Sequence, residues 1–373
     1  MTRLQSHLHR TSIGVGRLRS LEPVVIRFGR LGDMVILSSL LHFLHDRFHN
    51  RCIVLGAGSW NAQLYRAHPD VERIWSFARH IPFVLSLTWW RVLWALHRTA
   101  PGPIYVCERH PRQLARIRRL LGLSGVDRAR CLFITDFLTQ EDEHWVDRFV
   151  RFGEQTPPAL DPADYPLPLH TGQRAPRLHV TDSERAQRDA WLHERGWCGR
   201  RLVLVQPGNF RTMSRRRERW RRLNADDKAW PMQNWVDLLR GVQATMPDAV
   251  IVLCGAPQEG LLLQQIAFAA APAHIAVVEL PLRPLLALCE AATAMISIDT
   301  GPAHAAAALG LPLIVLYGAE SPACWLPRSP SASPVLAVGG PPTSTRVDQI
   351  SVADVLCAWR TLRELERQAS RPG

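Results

Sequence analysis

Two doubly wound α/β domains in one chain are predicted by three observations. The length, 373 residues, is enough for two domains of ordinary size, each with its own core. Short runs of Val, Ile and Leu, too continuously apolar for half-exposed strands, alternate with helical stretches along most of the chain, as in parallel sheets covered on both faces. That rhythm is broken by one proline-rich stretch without apolar period, "EQTPPALDPADYPLPLHTGQRAPR" at 154–177, read as the approach to an interdomain linker. The boundaries that follow are a basic arm (1–22), a first domain (23–177), a second domain (178–345) and a C-terminal helical segment (346–373). The candidate surface for that last segment to pack back on is the first domain.

The elements follow in order. "PVVIRF" (23–28) reads as a buried strand, "GRLGD" (29–33) as a tight loop and "MVILSSLLHFLHDRF" (34–48) as a helix. Strands at 52–58, 71–77 and 103–108 alternate with helices near 59–67, 84–98 and 111–121. Past the linker, "DSERAQRDAWLHERG" (182–196) is a helix with Thr181 or Asp182 as its cap. Strands at 201–208, 249–255, 275–280, 294–298 and 312–318 then alternate with helices at 231–246, 259–270 and 284–292. The last helix is placed at 352–368. Ligands of such sheets bind beyond the carboxyl ends of the strands, so the loops after the strands are where chemistry is sought.

Composition narrows the class. Hydrophobic residues make up 47% and charged residues 21%, a globular balance. Forty-five Lys+Arg against 33 Asp+Glu give a formal charge of +12, which points to anionic partners without choosing among nucleic acid, acidic lipid and phosphorylated substrates. The eight cysteines are scattered, mostly in apolar runs, and read as isolated thiols in a reducing cytosol. The N-terminus lacks the apolar core of a signal peptide, and no uncharged run approaches the ~20 residues of a membrane span. A soluble chain, or one attached only at a membrane surface, is expected.

The most informative stretch is "SIDTGPAHAAAALGLP" (297–312): a strand end, a polar turn, and a helix closed by Gly310 and Pro312. A helix start offers backbone N–H groups and partial positive charge, and Gly301 lets a ligand approach the backbone closely, so this is an anion pocket. Read in order with "IRFGRLGDMVILSSLL", "VQPGN", "DDKAWPMQNWVDLL" (226–239) and "VLCGAPQE", the chain resembles glycosyltransferase family 9, the ADP-heptose:lipopolysaccharide heptosyltransferases, over roughly 23–330. The resemblance implies a GT-B architecture, two Rossmann-like domains facing across a cleft with acceptor on the first and nucleotide sugar on the second. It implies inversion at the sugar carbon, no metal and no cofactor.

The same resemblance implies roles. Asp33 is the general base, against the ordinary alternative of an N-cap aspartate; a carboxylate committed to backbone donors is the poorer base. Lys228 lies against the donor diphosphate as a catalytic cation; otherwise it is a solvated helix-start lysine. Thr300 and Gly301 donate to the diphosphate, His304 faces it one turn in, and Asp299 orients donor hydroxyls or the loop, since a bare carboxylate beside phosphate repels it. Glu259 contacts ribose or, equally, complements a helix dipole. Gly208 and Asn209 border the phosphate site, and Arg30, Gly32, Arg215 and Arg216 lie on the acceptor side. The implied partners are ADP-heptose and an anionic glycolipid, at the cytoplasmic face of an inner membrane.

Two stretches depart from the family pattern. The run of 211–222 holds seven arginines around Trp220, where the family has a few residues, often Ser or Thr, so the phosphate role is assigned to neither Thr212 nor Ser214. It reads either as an arginine clamp for an anionic acceptor or as a solvated basic loop. "IPFVLSLTWWRVLWALH" (81–97) carries Trp89, Trp90 and Trp94, which suit either packing on the sheet or an interfacial anchor. Three competing functions are weighed: transfer of another sugar, polyanion or nucleic-acid binding through the arginine run, and a dehydrogenase. Nucleic acid is not expected as a partner, because no recognised nucleic-acid-binding pattern accompanies the arginines. "LGAGSWN" follows the second strand and lacks the third glycine of a dinucleotide fingerprint.

Overall fold

The computed structural model describes residues 21–77, 86–98, 102–169, 174–209, 227–270 and 275–369. The arginine run, with Arg215 and Arg216, and the first 20 residues lie outside them. The first unit runs β1 (Val24–Ile26), α1 (Leu31–Phe48), β2 (Cys52–Ala57), α2 (Trp60–Leu64), β3 (Val71–Phe77), α3 (Leu87–Arg98), β4 (Ile104–Val106), α4 (Pro111–Leu123), β5 (Cys131–Phe133) and α5 (Trp145–Gly153). The second runs α6 (Asp182–Glu194), β6 (Leu202–Gln206), α7 (Met232–Thr245), β7 (Val250–Gly255), α8 (Gly260–Ala270), β8 (Ile275–Glu279), α9 (Leu282–Ala291), β9 (Ala294–Ile298), α10 (Gly301–Ala308), β10 (Leu313–Tyr317), α11 (Pro322–Trp325), β11 (Val335–Gly339) and α12 (Val352–Ala369).

Both sheets are parallel, with orders β3-β2-β1-β4-β5 and β8-β7-β6-β9-β10-β11. In each, the chain builds outward from its first strand, then returns to build on that strand's other side. The crevices at these reversals, β1/β4 and β6/β9, are where a doubly wound sheet holds its ligand. The two-domain α/β architecture expected of the sequence is the one observed.

α1 explains how the units meet. It is apolar almost all round, and from Met34 to Leu41 every residue is buried, as a helix enclosed on all sides requires. One flank packs on the first sheet and α5; another meets Ala305 and Ala308 of α10 and Leu286 and Ala287 of α9 in a single cluster. Ser38 and Ser39, also buried, donate to the carbonyls of Val35 and Ile36. The alanine run of α10 follows from the same arrangement. Ala305 and Ala308 face α1, while Ala303, Ala306 and Ala307 face the second sheet, so only small side chains fit on either flank.

Some boundaries and packing differ from expectation. α1 begins at Leu31, so Asp33 sits in its first turn, not in the preceding loop. The proline-rich stretch is strapped to the first unit: buried Arg47 donates to the carbonyls of Gly153 and Gln155 and to Thr156 Oγ1, and Tyr165 stacks at 5.2 Å on Phe48. The C-terminal helix does not return to the first unit. Val355, Trp359 and Leu362 of α12 enter the core of the second, and Trp359 Nε1 donates to Thr245 Oγ1 at 2.8 Å. The apolar face of α12 at 355, 359 and 362 matches the apolar outer side of α7, which decides that choice. β5, α5, α11 and β11 are additions to the expected elements; β5 is only three residues long, and β11 is a half-buried edge.

Candidate active site

A cavity of about 670 Å³ lies between the units. Arg30, Gly32 and Asp33 line it from the first unit. Gly208, Asn209, Lys228, Glu259, Asp299, Thr300, Gly301 and His304 line it from the second. The structure thus brings together every expected site residue that falls within the described part of the chain. It adds Gln206, at the polar end of the otherwise apolar β6, together with Trp60, Glu320 and Trp325.

The N-terminal ends of α1 and α10 converge on this cavity. A Cβ on Gly301 would stand 2.7 Å from Leu31 Cβ and 3.0 Å from the Gly32 amide nitrogen, and a Cβ on Gly32 would meet His304 Cδ2 at 3.0 Å. The two glycines are therefore a close-approach pair across the units. Gly301→Ala is expected to force them apart, lowering stability by about 1–3 kcal/mol. Thermal denaturation checks this, and Leu31→Ala in the same chain, which removes the Cγ that the new Cβ would meet at 2.8 Å, should recover part of the loss.

Asp33 is not the N-cap residue of α1, a position Arg30 holds, but stands three residues on, in the first turn, on the cavity wall. Its Oδ2 accepts from the Arg30 amide at 2.8 Å, satisfying the N-cap donor of α1, and Oδ1 accepts from Arg27 Nη2 at 2.6 Å. Burial pushes the carboxyl pKa up, but the Arg27 guanidinium and the Arg30 amide outweigh it and hold Asp33 below the ordinary carboxylate value. Arg27 is itself buried, donates to the Cys107 carbonyl and faces the ring of Phe149 at 5.5 Å.

In the second unit, Lys228 Nζ donates to Asp299 Oδ2 at 2.5 Å and to the Asp299 carbonyl at 3.3 Å. Lys228 is the only lysine of the chain. Its segment is pinned by Trp230, whose Nε1 donates to the Ile350 carbonyl at 2.9 Å and whose ring meets Trp235 edge-on. Asp299 Oδ1 lies 3.8 Å from His304 Nε2. His304 is buried, its Nδ1 meets no protein partner, and burial lowers its pKa, favouring the neutral ring. Thr300 is the N-cap residue of α10, yet its side chain does not cap the helix; it lies 3.3 Å from Ser297 Oγ. The first turn of α10 is accordingly not capped by that hydroxyl, and Thr300, Gly301, Pro302 and His304 line the cavity there.

Glu259 is buried, and its Oε2 accepts from the Ala256 amide at 2.9 Å. The helix-end role weighed for it is therefore present, on the cavity wall. Leu280, Leu282 and Leu285 make an apolar stretch beside it. On the first unit's side, Arg109 and Arg148 stack on Trp145 at 4.2 and 4.8 Å, and Arg109 is near enough to Asp33 for the two charges to influence each other. Sequence reasoning did not single out Arg27, Arg109 or Arg148.

The arrangement suits chemistry on an anion. Two helix N-termini, a lysine and a carboxylate line one cavity. The profile described as Glycosyltransferase family 9 (heptosyltransferase) matches residues 121–352. A search of curated protein sequences finds no significant match. Among solved structures, the glycosyl transferase family 9 protein of Veillonella parvula DSM 2008 superimposes with a TM-score of 0.70 at 15% identity, covering 92% of this chain and 97% of that one. The E. coli ADP-heptose LPS heptosyltransferase II gives 0.68 at 20% identity, covering 93% and 100%. The E. coli heptosyltransferase WaaC, solved with ADP, gives 0.65 at 17% identity, covering 92% and 100%. At these identities the likeness is one of fold.

Proposed function

This chain belongs to glycosyltransferase family 9 and is a glycosyltransferase, and from that premise we propose that it moves a heptose from ADP-heptose to an anionic glycolipid of the lipopolysaccharide inner core, with inversion. One observation carries the proposal: Asp33 from the first unit and the 299–304 turn from the second line one cavity, across a contact only glycines permit.

Asp33 accepts the proton of the acceptor hydroxyl as that oxygen attacks the anomeric carbon, and the carbon–oxygen bond to the diphosphate breaks on the opposite face. Each carboxylate oxygen has two lone pairs, so one hydrogen bond to each, from Arg27 and Arg30, leaves acceptor capacity for the hydroxyl. A low pKa makes Asp33 a weak base toward a resting alcohol; it suffices once attack has begun and the hydroxyl has turned acidic. The leaving diphosphate sits against the first turn of α10, with Lys228 and the neutral ring of His304 beside it. Asp299 holds Lys228 in place, consistent with its placement beside the cation instead of the phosphate. The leucine-lined stretch takes the base of the nucleotide, and Glu259, Gly208 and Asn209 border its sugar and phosphates. Arg30 and Gly32, with Arg215 and Arg216 from outside the described residues, complete the acceptor side.

Calorimetry with ADP, UDP and GDP tests the donor. ADP should bind at least about tenfold more tightly than the other two, a difference of some 1.4 kcal/mol. Equal affinities would transfer the reading to another nucleotide sugar on the same scaffold. Mass analysis of lipopolysaccharide from a deletion strain identifies the sugar and its acceptor.

A further inference from the structure

Nothing in the transfer chemistry uses the outer face of the first unit. α3 and α4 cover the side of that sheet opposite α1, and the core cluster they build contains no residue of the second unit. In α3, Trp89, Val92 and Leu96 point into that core. Leu87, Trp90, Arg91, Trp94 and Arg98 occupy the opposite side: at 100° per residue they fall within one stripe about 100° wide. Leu87 is 76% exposed, Trp90 54% and Trp94 56%. Arg98 lies over the Trp94 ring at 3.8 Å.

α4 continues the pattern. Leu114, Ile117, Leu120 and Leu121 are buried, while Arg112, Arg116, Arg119 and Leu123 share the solvent side, with Leu123 58% exposed. Two adjacent helices therefore present tryptophan and leucine flanked by arginine and no acidic residue. Aromatic rings with a polar edge, next to cations, match the boundary between headgroups and acyl chains of an anionic bilayer. A site for nucleic acid would have no use for exposed leucines at both ends. Among the described residues no helix is long and apolar enough to cross a membrane, so this is a face that lies on the surface.

Position strengthens the reading. Helices in a doubly wound sheet run antiparallel to the strands, so the N-terminal ends of α3 and α4 lie at the edge that carries the cavity. Leu87 and Arg112 stand at those ends, and Arg109, just before α4, feels the charge of Asp33. We infer that the α3–α4 face docks the enzyme on an anionic lipid bilayer, with the acceptor side of the cleft turned toward the headgroups. The inference builds on the proposed glycolipid acceptor, but its test reads binding and not transfer, so the two can fail separately.

The test is cosedimentation of the full chain with vesicles of phosphatidylcholine alone or mixed with phosphatidylglycerol. Wild type should partition onto the mixed vesicles only, and less as salt rises. Trp90→Glu/Trp94→Glu and Arg112→Glu/Arg116→Glu/Arg119→Glu should each lower that partition at least about tenfold, while ADP binding by calorimetry stays unchanged and shows both variants folded. Equal partition of wild type and variants overturns the proposal. So does a shift from dimer to monomer in the tryptophan variant without any vesicle binding, which would make a second copy the occupant. Tighter binding to duplex DNA than to vesicles, lost in the arginine variant, also overturns it.

Discussion

Asp33→Asn is expected to lower turnover by roughly 10²–10⁴-fold, the range a positioned general base contributes, while leaving ADP affinity unchanged. Asparagine keeps an oxygen for the Arg30 amide, so the first turn of α1 stays capped. What disappears is the negative charge. Arg27, buried behind it, then loses its carboxylate partner and keeps the Cys107 carbonyl, at a stability cost of about 1.5–3 kcal/mol. Thermal melts and calorimetry separate the two effects: a folded, ADP-binding, inactive variant is the expected result. Formate should restore part of the turnover of Asp33→Ala by supplying a carboxylate. An Asp33→Asn enzyme keeping more than about a tenth of wild-type turnover would remove Asp33 from the base role.

The folded pKa of Asp33 lies below the ordinary carboxylate value, held there by Arg27 and the Arg30 amide against the opposing push of burial. Its ionised form therefore persists below the usual carboxylate range, and any acid limb in kcat/KM that belongs to Asp33 lies below that of an ordinary carboxylate. The same depression contributes stability that is fully present above the unfolded-state pKa and is lost as pH falls through the folded one.

How much of this was legible in the sequence depends on whether the signal was local. Asp33, Asp299 and His304 stand at abrupt changes from apolar strand to polar turn, and such changes survive in one dimension. Gln206 carried the same signal at the end of "LVLVQ" and could have been found by it. Arg27, Arg109 and Arg148 carried none. In a chain with 45 Lys+Arg, single arginines after β1, after β4 and within α5 look alike until the β1/β4 crevice and α5 bring them around Trp145. The alanines of α10 announced a helix enclosed on both flanks, but not that the second flank belonged to another domain. For α3 the packing alternative is borne out on one face of the helix. Period 3.6 assigns Trp89 to the core and Trp90 and Trp94 to solvent, a division the run of apolar letters does not display until it is wound into a helix.

Lys228→Ala is expected to abolish measurable ADP binding and to destabilise the second unit as well. Asp299 is buried, with a side chain 9% exposed, and Lys228 Nζ touches both its carboxylate and its carbonyl. Removing one partner of such a pair strands the other, at about 3–5 kcal/mol. Asp299→Ala should also cost binding, for a different reason: Lys228 loses the anchor that aims it at the cavity, and the 299–304 turn loses its tie to the segment pinned by Trp230. The double variant separates structure from function. Its stability should exceed that of Lys228→Ala, because no buried carboxylate is left unpaired, yet it should bind ADP no better. If the double variant recovers ADP binding together with stability, the lysine serves only to neutralise Asp299, and stabilisation of the leaving diphosphate must come from the first turn of α10 alone.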